Sequence, residues 1–277
     1  MKYNFKIGVM QGRLLPKIKN RYQCFPGKNW AKEFYLAKKL KLDLIELIFD
    51  IYEYKINPLY NLEELKKLKK IIRKTNIEVK TVCADFFMNN TLFEKNTIKR
   101  NDNIKMLKYI INNCKKIGIT DIVIPLVDSS SIKGNKLKNE TFTKSMINMK
   151  SFLKFKKINI CLETDLEPKA FLKLIRKINS RHIKINYDTG NSASLGYSIN
   201  SEFKTYGRYI TDLHVKDRMF KGGPVMLGKG NVRFDALKKA LKNKKVKPNY
   251  IIFQSYRDNK PIYTFKKQQK WFMKNVL

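Results

Sequence analysis

The sequence contains no apolar run approaching the roughly 18 residues that a bilayer-spanning helix needs, which argues against a transmembrane protein. Its opening segment, MKYNFKIGVMQGR, holds no apolar stretch of the length found in a secretory signal. Cysteine is scarce: Cys24, Cys83, Cys114 and Cys161 stand far apart and form no CxxC pair, so neither a disulfide framework nor a zinc ribbon is indicated. Two of the four lie in apolar strand-like runs, where a free thiol acts as a small hydrophobe, and a reducing cytoplasm is the expected compartment. Histidine is scarcer still, with 2 residues, His182 and His214. No stretch rich in Pro, Gly or Ser interrupts the chain as a linker would.

What is present is ample apolar material. With 43% hydrophobic and 12% aromatic residues the chain can fill a core, and intrinsic disorder is excluded on that ground. Its 277 residues fit either two small domains or one α/β barrel of about 250 residues. The formal charge of +36 would draw DNA, RNA or anionic lipid electrostatically. Yet the lysines are scattered, in LKKLKKIIRK, KYIINNCKKIG and DALKKALKNKKVK, at positions that would face outward on helices. This is read as a compositional bias on solvated faces, so neither a specific nucleic-acid partner nor a membrane partner is expected.

Short continuous apolar runs alternate with longer amphipathic ones. The spacing predicts strands at Lys6 to Met10, Leu44 to Ile48, Glu78 to Ala84, Asp121 to Val127, Ile158 to Glu163, His182 to Asp188, Tyr209 to Lys216 and Tyr250 to Ser255. Helical patterns such as AKEFYLAKKL, LEELKKLKKIIRK, PKAFLKLIRKI and FDALKKALKN lie between them, and FKKQQKWFMKNVL closes the chain. Continuous rather than alternating strands imply burial on both faces. Eight strand-helix units predict an α/β fold of the (β/α)8 TIM-barrel type, one domain over residues 1–277. A doubly wound open sheet is the structural alternative, but it usually uses fewer strands.

Barrel enzymes place their chemistry at the C-terminal ends of the strands. There the sequence puts Gln11 and Arg13, Glu46 and Asp50, Asp85, Glu163, Asp188, His214 and Gln254. The stretch INYDTGNSASLGY, Ile185 to Tyr197, leaves an apolar run through Asp188 into small polar residues, with Gly190 expected to turn the backbone away and Asn191 to bond a metal ligand or a substrate. Taken singly, Glu163 or Asp188 is equally a helix cap or an ion-pair partner. Four consecutive strands ending in Glu163, Asp188, His214 and Gln254 together offer oxygen and imidazole donors suited to Mn, Mg, Co or Zn.

In order, GVMQGRL, ELIFD, LETD, YDTGNSASLGY, DLHVKDR, LGKGNVRFDAL and IIFQSYR resemble the xylose isomerase-like TIM barrels, specifically the sugar phosphate isomerase/epimerase group, over nearly the whole chain. The resemblance implies one divalent metal ion (Mn, Mg, Co or Zn) held by Glu163, Asp188, His214 and Gln254, and a small sugar substrate. Where the family carries a second glutamate, this chain carries Gln254. An amide oxygen still coordinates a hard cation but accepts no proton at neutral pH, which puts a two-base epimerase mechanism in question. Glu163 is the expected base for a proton next to a carbonyl, leaving an enediolate. The partner acid is sought among Glu46, Lys216 and Asp217. One base suffices for a 1,2 isomerisation, so isomerase is preferred over epimerase.

Expected substrate contacts are Gln11, Arg13, Asn191, Asp217, Arg218 and Arg257, the arginines matching a phosphate or carboxylate on the sugar. Lys229 and the loop KGGPVMLGKG are further anion candidates, or a lid. Two rival readings remain. An apurinic endonuclease of this superfamily suits the basic surface, but its trinuclear zinc cluster needs several histidines. A catalytically inactive barrel that binds sugar or a partner protein is consistent with Gln254. Related barrels form dimers or tetramers, so a homo-oligomer is consistent with the resemblance, although the sequence identifies no interface.

Overall fold

The computed structural model describes residues 5–277; the first four residues of MKYNFKIGVMQGR lie outside that range. Eight parallel strands form the barrel: β1 (Lys6–Met10), β2 (Leu44–Ile48), β3 (Thr81–Cys83), β4 (Asp121–Leu126), β5 (Asn159–Thr164), β6 (Ile183–Asp188), β7 (Ile210–Val215) and β10 (Tyr250–Phe253). Their order around the closed barrel is β1-β10-β7-β6-β5-β4-β3-β2. Closure is made by β1 on β10, with Lys6 beside Tyr250 and Val9 beside Phe253. Two further short strands, β8 (Asp217–Arg218) and β9 (Pro224–Val225), pair antiparallel as a ribbon above β7.

The helices are α1 (Lys32–Lys39), α2 (Leu62–Thr75), α3 (Phe86–Asn89), α4 (Thr97–Ile117), α5 (Lys136–Lys156), α6 (Pro168–Ile178), α7 (Thr189–Ser194), α8 (Ile199–Tyr206), α9 (Phe234–Lys242) and α10 (Pro261–Asn275). None among the described residues is long and apolar enough to cross a membrane.

Local chemistry explains the elements. In α2, Asn61 caps the first turn by accepting from the Glu63 and Glu64 amides, and Leu65, Leu68 and Ile71 recur at helical spacing on the buried face. Each such side chain contributes about 1.5–3 kcal/mol by leaving water. Every residue of β2 and of β4 is buried, because the barrel lumen takes one face and the helix ring the other.

The lumen is unusually polar. Thr81, Asp121, Cys161, Asp212, Glu46 and His214 are all 1% exposed or less. Gly12 turns the chain off β1 at φ 85, and its amide donates to both carboxylate oxygens of Glu33.

Candidate active site at the barrel mouth

Glu163 on β5, Asp188 at the end of β6 and His214 on β7 face inward at the C-terminal end of the barrel. One donor atom from each lies within 4.8 Å of the others, and all three residues are buried. Strand register places them there: Asp188 is directly beside His214, and the two-residue period that points Asp188 inward does the same for Asn186. Asn186 Nδ2 donates to Glu163 Oε2 (2.7 Å) and lies 3.0 Å from His214 Nδ1. Asn191 Nδ2 donates to Glu163 Oε1 (2.6 Å), so both oxygens of that carboxylate are oriented by amides.

The His214 imidazole stands between two acids, Glu46 Oε1 at 2.9 Å from Nε2 and Glu163 Oε2 at 3.5 Å from Nδ1. Burial alone would push its pKa down. The carboxylates of Glu46 and Glu163 outweigh burial and raise it well above the ordinary histidine value. Two acids around one imidazole leave the pocket rich in negative charge, which is the environment a cation stabilises. Asp188 Oδ2 is buried without an aligned hydrogen bond; Lys216 Nζ lies 2.8 Å away as an ion pair. The residues therefore fit a cation held by Glu163, Asp188 and His214, donors of the type that bind Mn, Co or Zn.

Gln254, the fourth expected donor, is differently engaged. Its Oε1 accepts from Lys216 Nζ (2.7 Å) and its Nε2 donates to Gln23 Oε1 (3.0 Å). Gln23 in turn accepts from Arg13 and donates to Asp85 Oδ2 (2.6 Å). The ammonium of Lys216 thus bridges Asp188 and Gln254. Burial raises the pKa of Asp85, and that of Asp50 to about 6.

Above these groups opens a cavity of ≈ 430 Å³, within the size range of small-molecule sites. Glu163, Asn191, Lys216, Arg218 and Gln254 reach its wall, as do Arg21 and Gln23. Other expected contacts are turned elsewhere. Arg13 and Arg257 are buried, and both donate to the Tyr22 carbonyl, Arg257 also to that of Leu15, so they hold the loop after β1. Gln11 is buried with Oε1 accepting from the Ile48 amide. Glu46 lies within the lumen against His214 rather than on the cavity wall.

The expectation for Asp217 needs correcting. Its carboxylate accepts from the amides of Gly228, Gly230 and Val232, so the glycine-rich loop wraps this buried acid instead of offering its amides to an external anion. Gly190 also differs from expectation. It sits in the first turn of α7, where a Cβ would come 2.8 Å from Lys216 Cγ, so glycine here permits close approach rather than a turn. Gly196, at φ 75, supplies the turn after α7.

Asn186 and Gln23 escaped the sequence reading. Asn186 was recoverable from its period-two relation to Asp188. Gln23 carries no local signal, because its place depends on the two arginines that fix its loop.

Comparison with known proteins follows the same outline. The sequence model of the family described as xylose isomerase-like TIM barrel matches residues 34–275. L-ribulose-5-phosphate 3-epimerase UlaE of Escherichia coli (strain SMS-3-5 / SECEC) is 22% identical over 238 residues, covering 82% of each chain. The UlaE of Salmonella heidelberg (strain SL476) is 22% identical over 240 residues, again covering 82% of each chain. Among solved structures, a D-psicose 3-epimerase determined in the presence of D-fructose superposes with TM-score 0.78 at 14% identity, covering 98% of this chain and 99% of that one. The IOLI protein with a binding zinc atom superposes with TM-score 0.72 at 16% identity and 99% coverage of both chains. At these identities the superpositions bear on the fold.

Proposed function

This chain belongs to the xylose isomerase-like TIM barrel family, and from that premise we propose that it is a divalent-metal-dependent sugar isomerase or epimerase working by proton transfer next to a carbonyl. The observation that carries the reading is the convergence of Glu163, Asp188 and His214 from three successive strands beneath an open cavity. A divalent ion held by these three would supply Lewis-acid polarisation of the substrate carbonyl. The UlaE proteins, named as ribulose-5-phosphate 3-epimerases, support a phosphorylated ketose as the substrate class.

The chain's own residues perform the rest. Glu163 takes the α proton, its oxygens aimed by Asn186 and Asn191. Of the three candidates for partner acid, Lys216 alone reaches the cavity wall, since Glu46 is within the lumen and Asp217 is wrapped by its loop. For epimerisation Lys216, held between Asp188 and Gln254, donates a proton to the opposite face of the enediolate and regains one from solvent, to which Glu163 gives up the proton it took. Return of the proton by Glu163 itself gives 1,2 isomerisation, whereas delivery by Lys216 to the other face gives epimerisation. Gln254 serves as the amide that orients Lys216. With Arg13 and Arg257 fixed in the loop, anion recognition falls to Arg21, Lys216 and Arg218.

Turnover of a panel of ketose phosphates in D2O, followed by NMR with added Mn, tests this. Deuterium exchange at the carbon next to the carbonyl is expected, with loss in Glu163→Gln of about 10²-fold or more. No exchange by the metal-loaded wild-type protein on any member of the panel would sink the reading and favour a binding barrel. Gln254 in place of a carboxylate is the observation that keeps that second reading in view.

A further inference from the structure

Below the mouth, a second group of donors closes the lumen. Asp121 begins β4, Cys161 lies on β5 and Asp212 on β7, and one donor atom from each falls within 4.8 Å of the others. All three residues are fully buried. Asp121 Oδ1 accepts from Asn159 Nδ2, but its Oδ2 has no hydrogen-bond partner, and neither oxygen of Asp212 has one. Thr81, which pairs in register with Asp121 on the neighbouring strand, is likewise fully buried with its hydroxyl unpartnered. Among the described residues neither carboxylate forms an ion pair; Lys184 acts on Asp121 only through its field.

Burying two carboxylates side by side, with a single amide donor on Asp121 and no ion-pair partner for either, costs several kcal/mol per ion and raises the pKa of both. A barrel interior of ordinary composition would carry branched aliphatics at this level. The retained chemistry therefore calls for something positive between these oxygens. The sulfur of Cys161 narrows the choice, because carboxylate and thiolate donors together favour zinc, cobalt or ferrous iron over magnesium or calcium. Tetrahedral bonds of about 2.0 Å to oxygen and about 2.3 Å to sulfur put donors about 3.5 Å apart, so a small inward rotation of the side chains closes the cage.

We propose that Asp121, Cys161 and Asp212, with the Thr81 hydroxyl as fourth donor, form a structural site for a divalent transition-metal ion in the floor of the barrel. It is separate from the donor set at the mouth and does not depend on the proposed activity. Binding releases the thiol proton of Cys161 to solvent as the metal-sulfur bond forms, and no redox change is involved. Because the cage is enclosed, the ion enters during folding.

The test is refolding of the full chain in the presence of cobalt, followed by metal analysis and absorption spectroscopy. Asp188→Asn, which disables the mouth, is expected to retain one cobalt per chain and to show a sulfur-to-cobalt charge-transfer band. Adding Cys161→Ser abolishes the band, whereas adding Cys83→Ser, at the other sulfur near the lumen, leaves it intact. Absence of the band from folded wild type and from Asp188→Asn overturns the proposal, as does a band that survives Cys161→Ser. Asp212→Asn supplies an independent arm. If the two acids merely share a proton, that variant melts at a higher temperature than wild type in metal-containing buffer; with a bound ion it melts lower and has lost the metal.

Discussion

Glu33 shows how one buried acid tunes the whole chain. Burial raises its pKa from 4.5 to about 7, against the pull of the Gly12 and Leu14 amides that it accepts. The folded state thus holds this proton more tightly than the unfolded chain does. The resulting stabilisation is full below pH 4.5 and is lost as pH rises through about 7, a span worth up to about 3 kcal/mol. Urea unfolding should give a stability about 2 kcal/mol higher at pH 5.5 than at pH 8 from this group, and Glu33→Gln should flatten the difference. At the mouth, Lys216→Met is expected to lower turnover by about 10²-fold or more while the bound metal is retained. Gln254→Glu adds an anionic donor beside Asp188 and should tighten metal binding by about tenfold, read by competition with a chelating dye. Single residues were legible where strand period and chemistry coincided, as for Glu163, Asp188 and His214. They were illegible where a side chain's target is set by a distant segment. Arg13 and Arg257 looked like anion forks but hold Tyr22 and Leu15, which no local pattern announces.

Among the elements, α7 is tied to the site at several points. Its N-terminus is capped by Asp188, its Asn191 orients Glu163, and its Ser192 is tied to Glu202 on α8. Glu202 also accepts from the hydroxyls of Tyr187 (2.7 Å) and Tyr206 (2.7 Å). Glu202→Ala therefore leaves the Ser192 and Tyr206 hydroxyls without their acceptor, while Tyr187 keeps Ser192 Oγ, at about 1–3 kcal/mol for each one left unpaired. The expected result is a lower urea midpoint together with a slower proton transfer step, as Asn191 loses its anchorage. A variant with unchanged stability and unchanged turnover would remove this role for α8. Eight strands and most helices were readable from periodicity. The helices α4 and α5 begin at Thr97 and Lys136, where Asn96 and Asn135 cap them over polar first turns that carry little apolar periodicity. The small polar residues of α7 resemble turn chemistry until the Glu202 carboxylate binds Ser192 from outside the helix. The third strand is shorter than predicted, with Glu78 reduced to an isolated bridge to Leu44.

For the molecule as a whole, the charge of +36 is spread over helix faces rather than gathered at the mouth, and it sets how the protein meets polyanions. Retention on heparin or on duplex DNA of any sequence should occur at low salt and fall steeply as salt rises, without preference among sequences. Sequence-selective binding that persists in high salt would revive the nucleic-acid reading. Closure of the ring has a different kind of consequence. Its seam joins Lys6 through Val9 to Tyr250 through Phe253, so the first strand made must wait for the last. On a translating ribosome the nascent sheet hangs open with two unpaired borders, ready to stick to neighbouring copies, until Tyr250 to Phe253 emerge. Chains stalled or cut short before Tyr250 should accumulate as chaperone clients rather than as a smaller, working enzyme.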